Sequence, residues 1–365
     1  MSTGGSPVRT RVPRLPALDG VRGLAFLMVF AFHAMFTLES AFGPHETRPF
    51  GVSALTSLGR EGVPLFFVLS AFLVTTILFA EREATGRLDV RAFLIRRALR
   101  LLPLYFALLL LFAPVLWSRT PGYPAYLLLC GDLYHMAVKS ELREGLLITL
   151  WSIGVEEKFY LAWSFTLAAL TAVRADRERV MRAAWIAIGS AWLYRLAIGP
   201  FAPFHTMTYG PIGYLDCFGW GILLALGRLP APRVGSATAL ALYLAGLWGA
   251  KAVPPALGLP GTTGIGIGMG LGAILAAALI AAVKDARDGW ANFPALRWIG
   301  GISYGAYLFH NLVIAAMDNL APVPVSALGI ALKFAELAVT LALAALSFRY
   351  FEAPFLRLKA RFARA

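Results

Sequence analysis

The chain reads as an all-α, polytopic integral membrane protein with about ten transmembrane helices and both termini in the cytoplasm. Three observations carry that reading. Only 15% of the 365 residues are charged and 59% are hydrophobic, whereas a soluble domain carries about a quarter of its residues charged. The mean hydropathy is +0.70. The apolar residues also fall in blocks of the length that crosses a hydrocarbon layer of about 30 Å.

Taken in order, the expected spans are about 19–38, 62–80, 101–118, 148–173, 182–199, 210–227, 236–252, 264–283, 299–317 and 327–348. Arg9, Arg11 and Arg14 precede the first of them. Its apolar run is long and no small-residue cleavage site follows, so it reads as a retained helix rather than a signal peptide. With the N-terminus inside, the cytoplasmic stretches hold 23 of the 33 Lys and Arg residues and the outer loops hold 6, with four more in or beside spans. That asymmetry is the positive-inside signal. It also explains the net charge of +13 without nucleic acid, because the basic residues sit mainly in short loops between apolar blocks.

The longest loop contains a short apolar piece, 122–138, which reads as re-entrant or interfacial. The glycine-rich stretch from 258 onward has no strand before it and no acidic residue at ribose distance, so it reads as a surface for close helix packing rather than a dinucleotide site. Cys130 and Cys217 give no metal-ligand spacing, and no metal is expected. The whole chain, 1–365, reads as one membrane-embedded domain with basic cytoplasmic tails at 1–17 and 354–365.

Ionisable groups at membrane depth cost about 2.5–3.5 kcal/mol each on insertion scales, which makes them functional candidates. Arg22 and His33 lie eleven residues apart in the first span. On a helix they project within about 20° of one another and lie about 16 Å apart along the axis. Snorkelling of Arg22 to the interface is the plainer alternative. In the fourth span Ser152 and Glu156 share a face, while Glu157 and Lys158 turn from it. A carboxylate near a histidine can hold the imidazole in one tautomer, although a structural ion pair would also account for these charges. Arg96, Arg97 and Arg100 approach the third span, and their guanidinium forks suit a polyphosphate as well as they suit charge retention.

Six blocks together resemble the acyltransferase 3 family of integral membrane acyltransferases. They are "LDGVRGLAFLMVFAFHA", "GREGVPLFFVLSAFLVTTIL", "FLIRRALRLLPLYF", "LWSIGVEEKFYLAW", "ISYGAYLFHNLV" and "FRYFEAPFLR". They occur in the family's order over most of the chain. The resemblance implies transfer of an acyl group, usually acetyl from cytoplasmic acetyl-CoA, to a hydroxyl of an envelope glycan, glycolipid or glycoside. The expected location is the inner or plasma membrane. It carries key roles to Arg22, His33, Glu156 and the Arg96/Arg97/Arg100 loop.

In that frame the arginines hold the coenzyme phosphates and the pantetheine arm runs inward to His33. His33 acts as general base or as an acyl-histidine relay, and Glu156 orients its imidazole. Ser152, Tyr160 or a backbone N–H would face the oxyanion. Asp216, Tyr160 and His310 are expected along the acceptor path. His135 is a further outer-loop candidate, while His45 and His205 are given no role. Ala71, Gly154, Lys158 and Tyr214 depart from the family's usual glycine, serine, glutamine and arginine, and no extracytoplasmic hydrolase-like domain is expected at the C-terminus. The competing class is a transporter or glycan-precursor binding protein, which also uses broken helices and intramembrane charge.

Overall fold

The structure is a computed structural model that describes residues 15–41, 50–120, 122–138, 146–172, 177–259, 261–320 and 326–362. The tail arginines Arg9, Arg11 and Arg14, together with His45, lie outside the described residues. Among the described residues the secondary structure is entirely helical: α1 (Pro16–Ala41), α2 (Phe50–Gly59), α3 (Gly62–Thr85), α4 (Val90–Arg119), α5 (Tyr123–Leu127), α6 (Gly131–Ala137), α7 (Trp151–Leu170), α8 (Arg177–Ile198), α9 (Phe204–Tyr209), α10 (Leu215–Ala225), α11 (Ser236–Ala256), α12 (Gly261–Val283), α13 (Pro294–Gly301), α14 (Ser303–Leu320), α15 (Ala327–Ser347) and α16 (Ala353–Leu358).

Helices occupy all ten expected positions. By length and composition, six apolar helical runs can cross a membrane, or seven if α13 and α14, bent by 79° at their junction, form one span. The remaining three positions fall short for physical reasons. Helix α7 carries Glu156, Glu157 and Lys158, α8 begins among charged residues, and α10 has only 11 residues. Of the three, α10 is sheltered by packing on both α3 and α8, whereas α7 and α8 also turn large apolar side chains outward. Large apolar side chains point outward around the bundle, among them Leu111, Phe165 and Ile186, as expected of lipid-facing surface.

Small residues allow the central crossings. A Cβ on Gly20 would lie 1.9 Å from the Ala291 carbonyl oxygen, and one on Gly23 would lie 2.2 Å from that of Leu296. The start of α1 is therefore pressed backbone to backbone on the α13 region, and the glycines flanking Arg22 are what permit it. The glycine-rich helix α12 packs against α11, α3 and α8, in keeping with its expected packing role.

The 122–138 piece forms two helices of five and seven residues. Neither is long enough to span, since a helix rises about 1.5 Å per residue, and this fits a re-entrant or interfacial segment. Its anchor is Lys158, whose Nζ donates to Asp132 Oδ1 at 2.7 Å and to the Leu129 carbonyl at 2.7 Å. A Cβ on residue 154 would stand 2.7 Å from both of those oxygens. Gly154 makes room for this contact, and Lys158 supplies the charge that buried Asp132 needs.

Candidate functional site

Two cavities meet inside the bundle, and α1 serves both. The first spans about 690 Å³, space open to solvent included, and is lined by Arg22, Arg97, Arg100, Glu156, Tyr160 and Tyr304 among others. The second spans about 1030 Å³, counted the same way, and is lined by His33, Arg60, Glu61, Trp151, Tyr209 and Tyr214 among others. Arg22 and His33 therefore share an uninterrupted helix but line different cavities, with Val63 and Tyr307 in the wall of both.

The basic cavity is built from α1, α3, α4, α7 and α14. Arg22 pairs with Asp19 one helical turn away, at 3.1 Å. Arg97 lies over the Tyr160 ring, 4.9 Å from its centroid. The carboxylate lining the cavity is Glu156, which accepts hydrogen bonds from Ser70 and Tyr160. Three guanidiniums against one such carboxylate leave an excess of positive charge suited to a polyanion.

The three loop arginines are not equivalent. Arg97 and Arg100 line the cavity, but Arg96 is bound to Glu81 at 2.6 Å and to the Phe362 carbonyl at 2.8 Å. Arg96 instead borders an adjoining recess of about 480 Å³ with Arg22, Arg97, Arg100 and Lys359. Lys359 is a residue that sequence reasoning passes over. Burial, then the charges of Arg100, Arg97, Arg96 and Arg22, push its ammonium down to about 8.

Ser152 lines the basic cavity at its junction with the second. Its Oγ lies 2.6 Å from the Tyr307 hydroxyl, which donates to the Thr149 carbonyl at 2.8 Å. Tyr307 and Tyr304 also escape sequence reasoning, although their i, i+3 spacing puts the two toward one face of α14.

Three expectations need correction. Glu156 does not sit beside His33, because its carboxylate is committed to Ser70 and Tyr160 in the other cavity. The ionisable ring next to His33 is His310, 5.2 Å away between centroids. His310 itself lines neither cavity and is fully buried. Its Nδ1 lies 2.6 Å from the Tyr307 carbonyl, which can only accept, so that nitrogen carries the proton. Nε2 is then a lone pair, buried and without a partner among the described residues.

Asp216, expected along the acceptor path, likewise lines neither cavity. It is fully buried in a two-pronged ion pair with Arg195, at 2.6 and 2.8 Å. Arg195 on α8 supplies the cation that Tyr214 does not, and it also donates to the Gly213 carbonyl. Tyr214 is left to line the His33 cavity, its hydroxyl donating to the Thr208 carbonyl at 2.8 Å.

A membrane-embedded helical bundle with a basic cavity on one side of a histidine pocket is the class that this geometry defines. The chain belongs to the acyltransferase 3 family: the family profile, described as an acyltransferase domain, matches residues 15–348. Similar proteins include the peptidoglycan O-acetyltransferase OatA of Listeria monocytogenes, 26% identical over 93% of this chain and 55% of its own length. YrhL of Bacillus subtilis, provisionally assigned the same activity, is 27% identical over 93% of this chain and 54% of its own. A Staphylococcus aureus protein provisionally assigned as an O-acetyltransferase is 26% identical, over 93% and 57%. The chain thus spans about half the length of these relatives. No solved structure matches it.

Proposed function

We propose that this protein is a membrane O-acyltransferase. It moves an acyl group, acetyl in the simplest case, from cytoplasmic acyl-CoA to a hydroxyl of an envelope glycan, glycolipid or glycoside on the other side of the membrane. The observation that carries the proposal is the pair of cavities with Tyr307 in the wall of both, Arg22 lining one and His33 the other. Membership of an acyltransferase family and the peptidoglycan O-acetyltransferase relatives support the same reading.

Arg22, Arg97 and Arg100 hold the coenzyme phosphates, each fork bridging two phosphate oxygens. The pantetheine arm then runs along α1 toward Tyr307. About 16 Å of helix separates Arg22 from His33, a distance suited to an extended arm. The acceptor enters the His33 cavity, and an imidazole nitrogen of His33 takes the proton from its hydroxyl. The oxygen attacks the thioester carbonyl, forming a tetrahedral oxyanion toward which the Ser152 hydroxyl turns its proton from Tyr307. Collapse breaks the carbon–sulfur bond, and the thiolate of coenzyme A leaves with the proton that His33 gives up.

In this scheme His310 takes the orienting role. Its Nε2 lone pair accepts the second N–H of His33 as the imidazolium forms, while Tyr307 holds the opposite side of its ring. Glu156 acts on the donor side, fixing Tyr160 beneath Arg97. Mass spectrometry of envelope glycans from cells with and without the gene tests the proposal. Loss of one acetyl mass in the deletion strain supports it, and identical acetylation in both strains refutes it.

A further inference from the structure

We propose that Arg60, Glu61 and Lys251 form a second subsite of the acceptor cavity, one that reads an anionic substituent on the acceptor sugar. The inference rests on the acyltransferase reading above and concerns which acceptors that site admits.

The run Val52–Thr85 is apolar enough to be a single span, yet it breaks at Arg60 and Glu61, between α2 and α3. The break is held at the depth of His33. A Cβ on Gly59 would lie 2.4 Å from the Met28 carbonyl oxygen and 2.7 Å from the Phe32 nitrogen. These two charges are therefore intramembrane groups rather than loop residues, and charges at that depth line substrate paths or pair with one another.

A lobe of about 690 Å³ opens beside them between α11 and α12, with Lys251 in its wall. It shares Arg60, Glu61 and Met269 with the His33 cavity, so the two spaces adjoin. Gly261 and Gly268 on its far side have open space where a side chain would start.

The charges within the lobe do not balance. Glu61 is 7% exposed, and its Oε1 lies 3.5 Å from Lys251 Nζ. Its Oε2 is buried with no hydrogen-bond partner among the described residues. The Arg60 guanidinium rests 4.8 Å from the Phe204 ring centroid and 3.4 Å from Thr208 Oγ1. No carboxylate is in ion-pair contact with it among the described residues. With Glu61 offset by Lys251, Arg60 is the uncompensated cation, and its fork matches two oxygens of a carboxylate or phosphate group. A Cβ on Gly272 would lie 2.6 Å from Glu61 Oε2, so that oxygen packs against α12 and Glu61 serves to hold Lys251. An acceptor bound this way keeps its anionic group on Arg60 while a hydroxyl reaches His33.

The test is binding of simple sugars to the full chain in lipid nanodiscs, read by saturation-transfer NMR. The probes are methyl glucuronide, glucose 6-phosphate and methyl glucoside. At least one acidic sugar should bind about tenfold or more tighter than the neutral one, and which of the two does so identifies the anion. Arg60→Gln should remove that margin and Arg60→Lys retain part of it, with acetyl-CoA binding unchanged in both as the sign of an intact fold. Equal binding of all three sugars, binding of none, or a margin that survives Arg60→Gln overturns the proposal. Arg60-dependent anion binding in a protein that transfers no acetyl group would instead overturn the catalytic reading and leave the subsite standing.

Discussion

Three arginines that look alike in "FLIRRALR" should behave differently when each is changed to Gln. Arg97 and Arg100 line the basic cavity without an ion pair among the described residues, so each is free to meet phosphate. A hydrogen bond to a charged group contributes about 1.5–3 kcal/mol, and 1.4 kcal/mol is about one decade in affinity. Arg100→Gln should therefore weaken acetyl-CoA binding about 10- to 100-fold, and Arg97→Gln should do the same. Arg96 is already occupied by Glu81, which also accepts from the Asp89 backbone N–H at 3.1 Å. Arg96→Gln should leave affinity within about threefold and cost stability instead, on the order of 1–2 kcal/mol. The assay is equilibrium binding of labelled acetyl-CoA to detergent-purified variants, paired with thermal unfolding of each. An Arg96→Gln protein as weak in binding as Arg100→Gln would refute the assignment.

Other consequences follow from the same geometry. His310→Asn should lower kcat about 10- to 100-fold, part of the range open to general-base catalysis, and leave KM for acetyl-CoA unchanged; an equal change in both parameters would remove His310 from the His33 side. Lys359 carries its charge below about 8 and loses it above. Acetyl-CoA affinity should therefore fall as pH rises through about 8, and Lys359→Gln should flatten that profile. Asp216→Ala strands the fully buried Arg195 and should cost about 3–5 kcal/mol of stability, seen as a lowered unfolding temperature before any change in substrate affinity. Gly154→Ala should loosen the 122–138 segment, raising its hydrogen exchange, because the added carbon would stand 2.7 Å from the Asp132 and Leu129 oxygens.

Helix positions are legible in the sequence because membrane depth forces long apolar runs, and each of the ten runs contains a helix. The shared face of Arg22 and His33 is legible too, since helical geometry alone aligns them. What a neighbouring helix supplies is not legible. Nothing in the spacing of Glu156 and His33 reveals that they occupy different cavities, or that the ring beside His33 comes from α14. Asp216 looks like a candidate ligand in its own block, and only the packing of α8 against α10 brings Arg195 to it. Arg60 and Glu61 count as loop charges by position, yet "GREGVP" is the charged interruption of the stretch 52–80, which is otherwise without charge. That interruption is a signal that a closer reading of span lengths would find.

The central claim is that His33 takes the acceptor's proton in a transfer from acetyl-CoA. The measurement that tests it most directly is the O-acetyl content of envelope glycans from cells expressing the intact protein or His33→Ala at matched membrane levels, with labelled acetyl-CoA binding measured on both purified proteins. His33→Ala should abolish glycan acetylation while binding acetyl-CoA as tightly as the intact protein. Acetylation at the intact protein's level in His33→Ala would contradict the claim.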